Sequence, residues 1–498
     1  MKKKLLIIDL ENNYSLKKKN FDVVHLSAGS VVLEECKTIK LSNIKNQNHR
    51  DFKKNFYSNL EKYLFSTCNK NDTEFFLETE ICNIRNDKSD LFDKIYYINS
   101  IKNIIKKYDF VEVLYDNKNL TNTFNSLDKT KVNLNLVSNN NIREFSYTFF
   151  LLRRLKFFIR AFLLTLFVKF LPKKNEIYKE NIALSIYPLL FHNKEIGIYN
   201  GDNQYLNFSI TDETHLHQSL ISKCKNLIYL NSDKKFIITE KNILLIDLIK
   251  NFIITFPILI DLYHFKKKIF KINNVDYSNL IFQHLVISLL NRLKLEIYKR
   301  SIKYIFKNKN IKNFKYFLFE YNFGFFLNNQ INKVNKNINY IGYQHGIFSK
   351  NLFWFDFVKK FKKFNIYPDE IIANNKYSLN DYKEILKNKV KKYKFYKNKK
   401  NNLKNFQISK NSKNYLLVLG QHDHDHILRI FKNKRFDKNF FIKPHPRSKK
   451  IILNNYKNIK IYQKKIKFKK ILFSQTTTVY YDWINKKRSK NFMLIGFD

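Results

Sequence analysis

The run Phe440-Phe441-Ile442-Lys443-Pro444-His445-Pro446-Arg447 decides how this chain is read. Its first three residues are apolar and flanked by polar ones, the pattern of a short buried strand. Pro444 and Pro446 then end that strand, because neither carries an N–H for a sheet ladder and each restricts the residue before it. His445 is expected in an extended loop at the strand's carboxyl edge, between Lys443 and Arg447. In a parallel α/β sheet that edge is where ligands bind, and a histidine flanked by two cations is placed to meet an anion. A basic loop after an edge strand would look the same, so the neighbouring segments decide.

Residues 415–420, 459–462, 471–474 and 492–495 are further short apolar runs around it. Ser474-Gln475-Thr476-Thr477-Thr478 stands at the end of one of them, ahead of a helical pattern over 479–485. Hydroxyls and free N–H groups at a helix N-terminus form either a phosphate site or an ordinary N-cap. With the Lys-Pro-His-Pro strand beside it, the pair reads as a diphosphate or nucleotide cradle. Gly420-Gln421-His422-Asp423-His424-Asp425-His426 follows the first strand of this unit. Its histidines invite a metal reading, but the His-x-His-x-Asp-His order of metallohydrolases is missed by one residue. No metal is expected there; Asp423 or Asp425 is read as the N-cap of a helix.

Upstream, strands are expected at 5–10, 21–26 and 110–115 and a helix over 98–107, the alternation of a parallel α/β unit. The polar, Asn-rich interval 116–141 reads as a loop or excursion. Residues 147–171 form a helix rich in Phe and Leu, with Arg153, Lys156 and Arg160 on one face and Pro172 behind it. Such a helix either lies in a membrane interface or packs on the core with a basic outer face. The interval 243–265 is as apolar, but Asp247, Lys250 and Asp261 interrupt it and Pro257 kinks it; it is read as buried, or as part of the same hydrophobic surface. Strands follow at 182–190, 205–210, 314–319, 338–346 and 371–373, with helical patterns over 216–230, 278–307 and from Lys376. The Lys- and Asn-rich stretch 387–413 reads as a linker. The expected divisions are therefore 1–145, 146–172, 173–386, the linker 387–413, and 414–498.

The chain has 498 residues, 44% hydrophobic, enough for large cores in more than one domain. Its net charge of +50 suggests nucleic acid at first sight. Only 12 of its 92 basic residues are Arg, however, and Lys is spread over the whole length. Arg is the residue suited to bidentate phosphate and base contacts, and no nucleic-acid-binding motif is present. Four cysteines without CxxC spacing argue against a disulfide framework or a structural zinc. The apolar run that starts at Leu5 ends at Asp9, too short for a signal peptide, and no segment has the length of a spanning helix.

Two more clusters fall at strand ends. Glu320, in Phe-Glu-Tyr-Asn (319–322), is a candidate general base; His345, in Ile-Gly-Tyr-Gln-His-Gly (341–346), is a candidate donor ligand or acid. Asp212, in Thr-Asp-Glu-Thr, is a second candidate base. Together with Tyr-Pro-Leu-Leu (187–190), Tyr-Pro-Asp-Glu-Ile-Ile-Ala-Asn (367–374), Lys-Pro-His-Pro and the Ser-Gln-Thr-Thr-Thr turn, these occur in an order that resembles bacterial surface-carbohydrate glycosyltransferases of the GT-B type. The nearest resemblance is to the capsule and O-antigen enzymes that use CMP-activated sialic acid or Kdo. It covers about residues 180–480.

That resemblance implies an α/β fold with two Rossmann-like domains facing a cleft, the C-terminal one short and holding the nucleotide. It implies that His445 contacts the CMP phosphate, and that Ser474, with Thr476 and Thr477, binds the same group. Lys443, Arg447, Gln421, His345 and Gly346 are expected around the donor, with Glu320 or Asp212 as base. No cofactor is expected. The partners would be a nucleotide-sugar, a glycan or lipid-linked acceptor and the inner face of the plasma membrane, with no nucleic acid. A CDP-glycerol-type polyol-phosphate transferase and a non-enzymatic basic membrane- or nucleic-acid-binding protein are the alternatives.

Overall fold

The computed structural model describes residues 3–10, 14–27, 31–39, 49–65, 75–82, 91–128, 130–137, 145–172, 177–184, 203–211, 219–318, 322–344, 367–373, 376–386, 390–395, 406–419, 439–444, 460–463, 465–474 and 492–495. Three parallel sheets dominate them, and only their strands are numbered below. The first holds β1 (Lys4–Asp9), β2 (Asp22–His25), β3 (Lys37–Thr38), β4 (Phe110–Tyr115) and β5 (Val132–Leu136), in the order β3-β2-β1-β4-β5. The second holds β6 (Asn181–Leu184), β7 (Gln204–Asn207), β8 (Phe236–Ile238), β9 (Asn313–Phe317), β10 (Asn339–Tyr343), β11 (Glu370–Ala373) and β12 (Lys392–Phe395). Its order is β8-β7-β6-β9-β10-β11-β12. The third holds β13 (Tyr415–Val418), β14 (Phe440–Lys443), β15 (Lys460–Ile461), β16 (Lys470–Ser474) and β17 (Phe492–Ile495), in the order β15-β14-β13-β16-β17.

In each sheet the first strand lies inside, the next two run outward to one edge, and the chain then returns to the other side. That reversal is the switch point of a doubly wound fold. Three sheets carry it, where two were expected, because residues 1–145 and 173–386 build separate sheets. The C-terminal sheet, expected to be short, is completed by β17. The interval expected as a linker contributes β12 to the edge of the second sheet. The interval 116–141, expected as a loop or excursion, contains a short helical turn (Thr121–Asn125) and β5.

Among the described residues, ten helices have eight or more residues: α1 (His49–Phe65), α2 (Leu91–Ile105), α3 (Tyr147–Phe170), α4 (Leu220–Ser232), α5 (Leu245–Ile253), α6 (Thr255–Lys267), α7 (Ser278–Leu295), α8 (Lys299–Phe306), α9 (Asn322–Val334) and α10 (Lys376–Leu386). The Ser146 hydroxyl starts α3 by accepting from the Phe149 N–H at 3.0 Å, and Leu171 ends it in extended backbone ahead of Pro172. The kink expected at Pro257 is a break at Ile254 between α5 and α6. Pro257 stands in the first turn of α6, where its missing N–H costs least.

The first core packs α1 and α2 on β1 and β4, and takes in Leu262, Phe265, Ile281, Leu285 and Leu289 from α6 and α7. Residues far along the chain thus complete the first sheet's core. A buried charge cluster joins this core to the second. Arg292 on α7 pairs with Glu78 and, at 2.6 Å, with Glu296, while Asn329 on α9 donates to Glu78 at 2.6 Å. Burial opposes the Arg292 charge, but the two carboxylates outweigh it and raise its pKa.

Candidate functional site

Register levels the strand tips of the C-terminal sheet. Val418 of β13 pairs with Lys443 of β14 on one side and with Phe473 of β16 on the other. The Leu419 N–H donates to the Lys443 carbonyl at 3.1 Å, carrying the ladder to the edge. The switch point falls between β13 and β16. Lys443 and Ser474 were expected on neighbouring strands. β13 lies between them, so their strands stand about 10 Å apart, two inter-strand spacings. The strand that intervenes is the one that runs on into Gly420 and Gln421. Three of the segments singled out in the sequence therefore leave one edge side by side.

Lys443 itself is half-buried. Its Nζ lies 4.7 Å from the centre of the Phe406 ring and 5.6 Å from that of Tyr462, and the two rings meet edge to face at 5.5 Å. Burial lowers its pKa, and the ring faces offset part of that cost by attracting the ammonium. Beneath the tips Leu416, Val418, Ile442, Ile471 and Phe473 are all buried.

The second sheet brings together the other set of candidates. Phe317 of β9 pairs with Tyr343 of β10, and the Leu318 N–H donates to the Tyr343 carbonyl at 2.7 Å. The segments that lead to Glu320 and to His345 therefore leave adjacent strands at one level. Gln344 is buried at the tip of β10: its backbone N–H donates to the Ile372 carbonyl at 2.9 Å and its side-chain amide to the Ser378 hydroxyl at 3.1 Å. Gly342, one turn of the pleat earlier, makes room for Leu318. A Cβ there would lie 2.2 Å from Leu318 Cδ2 and 3.3 Å from the Pro368 side chain.

The segment 208–211, which leads to Asp212, leaves β7 at the same edge and is locked from below. The Glu240 carboxylate accepts from the Ser209 and Ile210 N–H groups, the latter at 3.1 Å, and from the Tyr298 hydroxyl at 2.7 Å. Lys223 Nζ donates to the Ser209 carbonyl at 2.7 Å, the Asn207 amide to the Ser209 hydroxyl at 2.7 Å, and the Thr239 hydroxyl to the Asn207 carbonyl at 2.7 Å. Glu240, Tyr298 and Thr239 have no exposed surface and Lys223 has 1%. Burial pushes the Glu240 carboxyl above the ordinary range, against the pull of the hydroxyl and N–H groups it accepts from. Sequence reasoning missed this cluster. Thr239-Glu240-Lys241-Asn242 looks like any solvated turn, and nothing local marks Lys223 or Tyr298 as its partners.

His445, Arg447, Thr476, Thr477, Gln421, His345, Gly346, Glu320 and Asp212 lie outside the described residues, as do His422, His424 and His426. Ser474 is described as the last residue of β16, paired with Ile495. An open depression of about 510 Å³, lined by Lys179, Glu180, Lys309 and Lys312 among others, lies at the amino end of β6 and β9. That is the opposite end from where a parallel sheet binds ligands. No protein-family model, no curated protein sequence and no solved structure matches this chain.

Proposed function

We propose that the protein is a metal-independent glycosyltransferase that moves a sugar from a CMP-activated donor onto a surface polysaccharide or a lipid-linked glycan, at the inner face of the plasma membrane. The observation that carries this is the level edge of β14, β13 and β16, with the switch point inside it. In this reading the donor lies across those tips, in the C-terminal half of a GT-B-type pair whose acceptor side is the second sheet. His445 and Ser474 meet the phosphate, with Lys443, Arg447, Gln421, Thr476 and Thr477 around it. Charge builds on that phosphate as the glycosidic bond breaks, so groups fixed against it stabilise the transition state more than the ground state. His345 and Gly346 approach the donor from the second sheet, and Glu320 or Asp212 takes the proton of the acceptor hydroxyl.

Thermal shift with CMP, UDP, GDP and CDP tests the donor assignment. Binding at about a hundred times Kd adds about 2.7 kcal/mol to the native state, so CMP should raise the melting point most. His445→Ala should abolish that rise together with cleavage of CMP-sugars. A response to CDP with turnover of CDP-glycerol would move the assignment to a polyol-phosphate transferase. No response to any nucleotide, or a His445→Ala variant that cleaves CMP-sugars at the wild-type rate, would sink it.

A further inference from the structure

Helix α3 carries two apolar rows. One, with Phe150, Phe157, Ala161, Leu164 and Val168, is buried and follows a period of three or four residues in which Arg154 takes the place between the first two. The other runs along its outer side: Leu152, Leu155, Ile159 and Leu163 are 42–60% exposed. Arg153, Lys156 and Arg160 follow beside that outer row, and the whole helix holds five basic residues and no acidic one.

The outer row does not stop at α3. Ile249 and Ile253 on α5 and Phe256 and Ile260 on α6 are 46–61% exposed. Four rings join the helices: Phe158 meets Phe252 at 5.4 Å between centres, Phe162 stacks on Phe158 at 6.3 Å, and Phe256 lies edge-on to Phe252 at 6.2 Å. The platform is pinned from beneath. The buried Arg154 guanidinium donates to the Asn251 carbonyl at 2.6 Å, to its side-chain oxygen at 2.7 Å and to the Thr255 hydroxyl at 3.1 Å.

A contiguous exposed apolar surface marks an interaction site, and charge decides its occupant. A second copy would bring the same cations, and a second +50, against the first. An anionic bilayer complements the cations through its headgroup phosphates and the apolar rows through its acyl boundary. No helix among the described residues is long and apolar enough to cross a membrane, so the surface lies on the bilayer. We propose that α3, α5 and α6 form a lipid-interface platform that seats the protein on an anionic membrane, with the Ile159, Ile249 and Ile253 side chains below the headgroups and Arg153, Lys156 and Arg160 level with them. This rests on the membrane part of the proposed function and is independent of the donor.

Co-sedimentation of the full-length protein with vesicles of phosphatidylcholine, alone or mixed with phosphatidylglycerol, tests it. The wild type should prefer the anionic vesicles, and Ile159→Glu/Ile249→Glu/Ile253→Glu should weaken that binding about tenfold or more. Arg153→Gln/Lys156→Gln/Arg160→Gln should weaken it and flatten its salt dependence. Leu155→Trp should blue-shift its emission on the vesicles, an insertion readout that needs no destabilised variant. Unchanged binding by the triple Glu variant, no blue shift, or a wild-type dimer that the triple variant splits would each overturn the platform. Reading the nucleotide-induced melting shift on the same preparations separates the two proposals. Lost vesicle binding with the shift intact leaves the donor standing, and the reverse leaves the platform.

Discussion

The carboxyl edges of the second and third sheets are built on different terms. At the second, buried polar groups hold the backbone beyond the strands: Glu240, Tyr298 and Lys223 under residues 209–210, and Gln344 against Ser378. At the third, the described side chains Leu416, Val418, Ile442, Ile471 and Phe473 beneath the tips are apolar and buried, and Lys443 at the tip of β14 lies against two rings. Strands that only need to end level can rely on ladder and packing. A segment that leaves the ladder in one fixed conformation must have its N–H and carbonyl groups satisfied by something else. The second edge is thus a preformed frame, whereas the described part of the third is held by ladder and packing, with Lys443 at the tip of β14.

Removing the frame should have the largest effect. Glu240→Ala leaves the buried Ser209 N–H and the Tyr298 hydroxyl without the acceptor they share, and the Ile210 N–H with only the Tyr298 hydroxyl at 3.2 Å. It should cost about 3–5 kcal/mol, read as a drop in the urea midpoint at constant m. A loss below about 1 kcal/mol, the worth of one ordinary hydrogen bond, would mean that packing holds 208–211 and that the two edges do not differ in kind.

How much of this contrast the sequence could reveal depends on the range of the interactions. β1, β4, β9, β11, β13 and β16 were legible because an apolar run closed by polar residues or proline is a local signal. Helix α3 was legible because its period of three to four residues spans 24 residues. The strands β5 and β12 were not, because Val132–Leu136 alternates with Asn and Lys392–Phe395 with Lys, as edge strands do. The Glu240 cluster was hidden for a stronger reason. Its members Lys223, Glu240 and Tyr298 come from three separate segments, and only the fold brings them together. Arg154 makes the same point: its three basic neighbours on α3 face outward, and burial singles it out.

A smaller steric change tests the same edge from above. Gly342→Ala places a methyl 2.2 Å from Leu318 Cδ2 and 2.7 Å from its Cγ, so Leu318 must move. Overpacking of this kind costs about 1–3 kcal/mol. Because Leu318 lies two residues before Glu320, acceptor KM or turnover should change more than the nucleotide-induced melting shift. A variant as stable and as active as the wild type would show that the β9 tip is not fixed by this contact.

The pH dependence sharpens the comparison further. Burial raises the Glu240 pKa, so the folded state holds its proton more tightly than the unfolded one. Its contribution is complete below the unfolded value, near 4.5, and is lost as pH rises through the folded value. Glu296 has the opposite sign. Burial alone would raise its pKa, but Arg292 and Lys299 outweigh that and lower it, so its contribution appears above 4.5 and is lost as pH falls through the lowered value. Glu240→Gln should therefore remove part of the wild type's loss of stability toward alkaline pH and leave the acid limb unchanged. Urea midpoints measured across the pH range would expose a change in the acid limb instead, which would assign the titration to another group.

The smallest effect is expected at the third edge. Lys443→Met replaces a half-buried ammonium by an unbranched apolar chain that keeps the contact with Phe406 and Tyr462. The cation–ring attraction lost, about 0.5–1 kcal/mol, is offset by the cost no longer incurred in partly burying the charge. Stability should accordingly move by less than about 1 kcal/mol in either direction. On the proposed donor assignment, nucleotide response is where the change should register, because Lys443 stands at the tip of β14. A weaker CMP-induced melting shift in a variant of wild-type stability would place the Lys443 ammonium within reach of the phosphate. An unchanged shift would confine it to the aromatic pocket and leave the anion to His445 and Arg447.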